Sequence, residues 1–65
     1  QNIGYKELMT LVMSLPPGFR TVFNMYAIEG YSHKEIAEIL GITETTSRTQ
    51  FSRARIWLQN KMEKI

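Results

Sequence analysis

Nothing in this chain can staple it covalently. Cysteine is absent and His33 is the only histidine among 65 residues, so neither a disulfide nor a thiolate-based structural zinc can hold the fold. A chain this short buries only about 60% of the surface it exposes when unfolded. Its stability must therefore come from dense packing of the 43% of residues that are hydrophobic. Helices suit that requirement, because each buries one apolar stripe through short-range contacts without long-range strand pairing. The expectation is one small all-α domain over residues 1–65, with no metal and no cofactor. No apolar run approaches the roughly 18 residues of a membrane span, and no signal-peptide layout opens the chain, so no membrane is expected and the cytoplasm is the expected location. The first residue is Gln1 rather than Met, which suggests a piece of a longer polypeptide.

The periodicity predicts four helices, over about residues 2–14, 17–29, 33–40 and 44–63. Leu8, Leu11, Val12 and Leu15 recur at spacings of three and four, one face of a first helix. Pro16-Pro17 ends it, because the residue before a proline is pushed out of the helical region while a proline fits the first turn of the next helix. Phe19, Val22, Phe23 and Tyr26 give that second helix its apolar face, and Gly30 supplies a left-handed stop. Ser32 and Glu35 have the spacing of a capping box at the start of the third. Ile36, Ala37, Ile39 and Leu40 form its broad apolar side, and Gly41 ends it. Thr43 can cap the fourth helix, with Glu44 well placed against the N-terminal dipole.

At about 100° per residue, Ser47, Ala54, Leu58, Met62 and Ile65 lie within roughly 60° of Phe51, and this set is the expected buried stripe of the fourth helix. Thr45, Arg48, Thr49, Ser52 and Arg53 occupy the broad opposite side. The third and fourth helices are separated only by a short turn at Gly41-Ile42, the layout of a helix-turn-helix. Ala37 suits a steep helix crossing, and Gly41 suits a turn that needs positive φ.

A helix that enters the major groove needs short polar side chains and arginines on its exposed N-terminal half. Thr45, Thr46, Arg48, Thr49, Ser52 and Arg53 meet that need, and Arg48 and Arg53 are the first choices for base contacts, since arginine can bind guanine O6 and N7 bidentately. Arg55 is turned further toward the protein and is expected to meet a phosphate or a glutamate. At the start of the third helix, Ser32, His33 and Lys34 can hold a backbone phosphate through free N–H groups and one ammonium. Ser32 is also simply the cap, which is compatible with that contact, while His33 is expected on the solvated surface. A solubilising face is the plainer reading of the arginines.

Charge placement supports the same side. Residues 1–42 carry Lys6, Arg20 and Lys34 against Glu7, Glu29, Glu35 and Glu38, a net −1, whereas residues 43–65 carry a net +3. A basic segment on a nearly neutral domain is a polyanion footprint. Catalysis is poorly supplied: Glu35 and Glu38 share a face, but Glu35 belongs to the capping box, and no Gly-rich phosphate loop or triad geometry accompanies them. No small-molecule substrate is implied. Met9, Met13, Met25 and Met62 read as gap fillers.

Leu15-Pro16-Pro17, Phe23, Gly30, Ser32, Glu35-Ile36-Ala37, Leu40-Gly41-Ile42, Thr46 and Ser52-Arg53-Ala54-Arg55 with Leu58 form an ordered set that resembles region 4 of bacterial RNA polymerase sigma factors, of the extracytoplasmic-function class. The resemblance implies a four-helix helix-turn-helix domain that binds the −35 element of promoter DNA. It also implies apolar surfaces that engage the β flap of core RNA polymerase and, in many members, an anti-sigma protein. It places Arg48, Thr49, Ser52 and Arg53 toward −35 DNA, and Ser32, His33 and Lys34 toward the phosphate backbone. Three residues depart from the pattern: Thr45 stands where glycine is common, Ser47 where valine usually packs inward, and Gln50 where a basic residue is frequent. Ser47 at an inward position needs a partner, such as the carbonyl four residues back. The segment before Leu15 fits either the first helix of region 4 or the end of an interdomain linker, and a region 2 is expected to precede it in the longer protein.

Two alternatives stand beside this reading. The effector domain of LuxR-type response regulators shares the Glu-Ile-Ala and Leu-Gly-Ile core but usually lacks Leu-Pro-Pro and Ser-Arg-Ala-Arg; other helix-turn-helix regulators stand with it. A helical protein-interaction module is the second, supported by Ile56 and Trp57, which lie off the core stripe and could form an exposed apolar patch.

Overall fold

The computed structural model describes residues 4–63. Helix α1 covers Tyr5–Met13 and starts after Gly4, which is extended rather than helical; positions 2 and 3 of the predicted first helix lie outside the described residues. Helix α2 covers Pro17–Phe23, with Pro17 in its first turn, and runs straight into a π-helical turn at Asn24–Ile28. Regular helix was predicted there. In the π turn the backbone bonds widen: the Glu29 N–H donates to the Asn24 carbonyl (2.9 Å) and the Tyr31 N–H to that of Met25 (2.9 Å). Gly30, at φ 84°, then reverses the chain.

Helix α3 covers His33–Leu40 and opens with a complete capping box. The Glu35 N–H donates to Ser32 Oγ (3.0 Å), while the Ser32 N–H donates to Glu35 Oε1 (2.9 Å). Gly41 closes α3 at φ 70°, and the Ile42 N–H donates to the Ala37 carbonyl (3.0 Å), satisfying one of its last acceptors. Helix α4 covers Glu44–Met62 and is capped by Thr43, whose Oγ1 accepts from the Thr46 N–H (3.0 Å).

Helices α2 and α3 both lie against α4, and α1 reaches it mainly through its C-terminal end. Val12, Leu15, Ala54 and Leu58 form the central cluster, with Leu11, Phe19, Phe23 and Trp57 packed around it. Val22, Ile36 and Ala37 extend the buried set toward the turn. Each fully buried aliphatic side chain contributes about 1.5–3 kcal/mol. The small Ala37 lets α3 approach closely.

Several expected core positions are outside this packing. Met62 is 40% exposed, because the core ends at Leu58, and Ile65 lies outside the described residues. On the two-turn α3 only Ile36 and Ala37 are buried, leaving Ile39 and Leu40 exposed; Leu8 of α1 is exposed as well. Trp57, which with Ile56 would form the exposed patch of the alternative interaction-module reading, packs against the core, while Ile56 is exposed. Its large ring spans the angular gap to the adjacent Leu58, and Lys61 Nζ lies 5.0 Å from the ring centroid.

Candidate nucleic-acid interface

Helix α4 has two unlike sides. Ser47, Ala54 and Leu58 face inward, while Thr45, Arg48, Thr49, Ser52 and Arg53 are all exposed on the side away from them. Thr46 is exposed too, but its first-turn position ties it to the cap, since the Thr43 hydroxyl donates to Thr46 Oγ1 (2.9 Å). Arg48 Nη2 donates to Glu44 Oε1 (3.1 Å), an exposed i,i+4 pair. Such a pair is worth well under about 1 kcal/mol, so a phosphate or a base edge can draw Arg48 away from it. Arg53 makes no ion pair among the described residues. Arg55 turns toward the protein, but its guanidinium stands 6.0 Å from the centroid of Phe51 and meets no glutamate among the described residues.

His33 is not the solvated surface residue expected from the sequence. Its ring is half-buried and stacks on Tyr26 at 4.1 Å between centroids and 10° between planes, with Phe51 edge-on at 6.0 Å. Its Nδ1 lies 2.8 Å from Ser47 Oγ, across the turn between α3 and α4. Ser47 thus finds a partner on the other helix rather than only on its own backbone. Burial, the nearby Arg48 guanidinium and, in the opposite sense, Glu44 leave the His33 pKa below its ordinary 6.5. Phe51 links this cluster to α2, packing on Tyr26 at 4.7 Å and stacking on Phe23 at 5.7 Å.

The sequence reading passed over Tyr26, Phe51 and Glu44 as parts of the site. Their helical positions were legible, but which rings and charges meet across the turn is a tertiary property.

Ser32 and Lys34 are exposed at the N-terminus of α3 and border an open groove of about 630 Å³. Glu44 and Arg48 of α4 line its other side, with Tyr26, Tyr31 and His33 between. The start of α3 and the N-terminal part of α4 therefore flank one channel. The free N–H groups of a helix start, one ammonium and one guanidinium at its edges suit a phosphate, and the Glu35 and Glu44 carboxylates of the same lining oppose one.

A family model described as Sigma-70, region 4 matches residues 5–58. The chain belongs to the sigma-70 region 4 family. It is thus the DNA-binding domain of a sigma factor, of a family that binds DNA rather than one of enzymes. The match begins at Tyr5 and so takes in α1. It also favours this family over the LuxR-type effector domain and the interaction module. Comparisons with curated proteins and with solved structures returned no significant match.

Proposed function

We propose that this sigma region 4 recognises the promoter −35 element by laying α4 in the major groove, with Thr45, Thr46, Arg48, Thr49, Ser52 and Arg53 toward the base edges. The observation that carries this reading is the exposed small-polar and arginine side of α4, opposite Ser47, Ala54 and Leu58. Short threonines and a serine let the helix sink deep enough for the arginines to reach bases. Ser32 and Lys34, across the groove, hold a backbone phosphate, with Arg55 reaching a second one beside them. The His33 ring supports that clamp from within, because its Nδ1 is engaged with Ser47.

In the intact protein the domain serves transcription initiation in the cytoplasm, contacting the β flap of core RNA polymerase and being open to capture by an anti-sigma protein. The ordered motifs from Leu15 to Leu58 support assignment to the extracytoplasmic-function class.

Titration of a labelled duplex at low salt tests the reading. The logarithm of the affinity should fall linearly with the logarithm of salt concentration as phosphate counterions are released. Absence of binding, or binding indifferent to salt, would sink it. Roles within the interface separate by mutation: Arg53→Ala should cost roughly 1–3 kcal/mol and relax base preference, whereas Lys34→Ala should weaken all sequences alike. A randomised-site selection in which both variants behave identically contradicts the division between reading and clamping. Co-purification of the full-length protein with core RNA polymerase tests the contact with the enzyme.

A further inference from the structure

We propose that His33 and Ser47 are a pair of positioning residues whose hydrogen bond fixes α4 on α3, and so sets the reading side of α4 in register with the phosphate clamp. This rests on the DNA-binding reading above, and it assigns work to two residues that touch no base.

The chemistry of Ser47 is the starting point. Its side chain is fully buried beside the apolar Ala54 and Leu58 of the same helix. A buried hydroxyl needs an acceptor for its one hydrogen, and His33 Nδ1 lies 2.8 Å away. If the hydroxyl donates, Nδ1 is unprotonated and the imidazole is neutral, with its hydrogen on Nε2. The ring is held in this pose from two further directions, stacked on Tyr26 of the π turn and edge-on to Phe51 of α4. One small ring thus joins three elements at the point where they converge.

Its place in the sequence gives that junction functional weight. His33 is the first residue of α3, between the capping Ser32 and the clamping Lys34, and Ser47 directly precedes Arg48. Rotation or sliding of α4 on α3 would separate Nδ1 from Oγ. The bond therefore selects the arrangement in which clamp and reading side meet one DNA duplex together. The Thr43 carbonyl, four residues before Ser47, already accepts the Ser47 backbone N–H (3.0 Å), so it holds α4 to itself and not to α3.

Protonation reverses the bond. An imidazolium Nδ1 donates to Ser47 Oγ, so the buried Ser47 hydrogen loses its acceptor. The groups around the ring are Lys34 and Glu35 on α3, Glu44 and Arg48 on α4, Tyr26 on the π turn and Tyr31 in the following loop. Arg48 opposes a second positive charge, and Glu44 offsets this only in part. The arrangement in which the buried hydroxyl is fully satisfied belongs to the neutral ring and is lost in acid.

Two measurements on the 65-residue chain test the pair. Nitrogen NMR of the His33 ring should show an unprotonated Nδ1 and a titration below that of free histidine. Ser47→Ala, nearly isosteric, should keep the circular dichroism spectrum, move the titration upward and mix the two tautomers. Binding is then compared between a duplex selected from a randomised pool by the wild-type chain and an unrelated duplex of equal length. Ser47→Ala and His33→Ala should each reduce the preference roughly 5-fold, the scale of one net hydrogen bond, and the double variant should lose no more. The wild-type preference should decline as pH falls from about 8 to about 5.5, and that of Ser47→Ala should stay flat. An unchanged His33 titration in Ser47→Ala, or losses that multiply in the double variant, would overturn the proposal. A wild-type chain that ignores duplex altogether would overturn the promoter reading and the positioning role with it. A wild-type chain that binds while Ser47→Ala keeps its full preference overturns the positioning role alone.

Discussion

Ser47 and Gln50 are the two polar side chains that α4 turns inward, and their surroundings treat them differently. Ser47 meets His33 Nδ1 at 2.8 Å, whereas the buried Oε1 of Gln50 has no hydrogen-bond partner among the described residues. A Cβ added at Gly18 would lie 3.8 Å from that oxygen, so the first turn of α2 covers Gln50 without offering it a donor. An orphaned buried carbonyl costs about 1–3 kcal/mol, and its removal in favour of an apolar group of similar shape recovers part of that. Gln50→Met keeps the length of the side chain and should raise stability by about 1 kcal/mol, read from the urea midpoint at constant m-value. A lower midpoint would mean that the amide has a partner in solution. Both residues were visible in the sequence as departures from the family pattern. The inward position of Ser47 followed from its place on the helical wheel beside Phe51, but the wheel of one helix contains no information about which side chain of another helix arrives opposite. Hence Ser47 could be recognised as needing a partner while His33 was assigned to the surface.

At the scale of elements, what was legible is what short-range chemistry decides. Pro16-Pro17, the Ser32/Glu35 box, Gly41 and Thr43 act within a turn of their own position, and each does in the structure what its local chemistry predicts. The π turn at Asn24–Ile28 was not legible, because Asn-Met-Tyr-Ala-Ile is ordinary helical sequence; within the turn, Tyr26 packs on Phe51 and His33. Amphipathicity also overstated burial: Ile39 and Leu40 fit an apolar face on a wheel, yet on the two-turn α3 only Ile36 and Ala37 are buried. Gly41 offers the cleanest test at this scale. Its φ is 70° and an added Cβ would meet nothing within 4 Å, so substitution brings backbone strain without a clash. Gly41→Ala should therefore destabilise by about 1–2 kcal/mol, and Gly41→Asn by less, since asparagine tolerates the left-handed region. Equal losses for the two variants in chemical denaturation would show that something other than positive φ makes glycine necessary at the turn.

Across the whole molecule, the fold class, the helix-turn-helix and the exposed polar side of α4 followed from periodicity and capping, and placing the charges showed which end of the chain is basic. What sequence could not supply was the coupling between the two helices, and this coupling makes a global property depend on one ring. His33 is the only histidine, so titration near its ordinary pKa of 6.5 belongs to one identified side chain. In the unfolded chain that value is about 6.5, and in the folded chain burial and Arg48 hold it lower. Between the two values the unfolded state binds more protons, so stability rises with pH across that window. The contribution of a neutral, bonded His33 is fully present above the unfolded value. It is lost progressively as pH falls through the folded one, and below both it changes no further. Urea midpoints measured at about pH 7.5, 6.5 and 5.5 should therefore fall for the wild-type chain, and His33→Ala should remove that part of the fall. Parallel declines in the two proteins would assign the acid sensitivity to other groups and detach it from the corner where α3, α4 and the π turn meet.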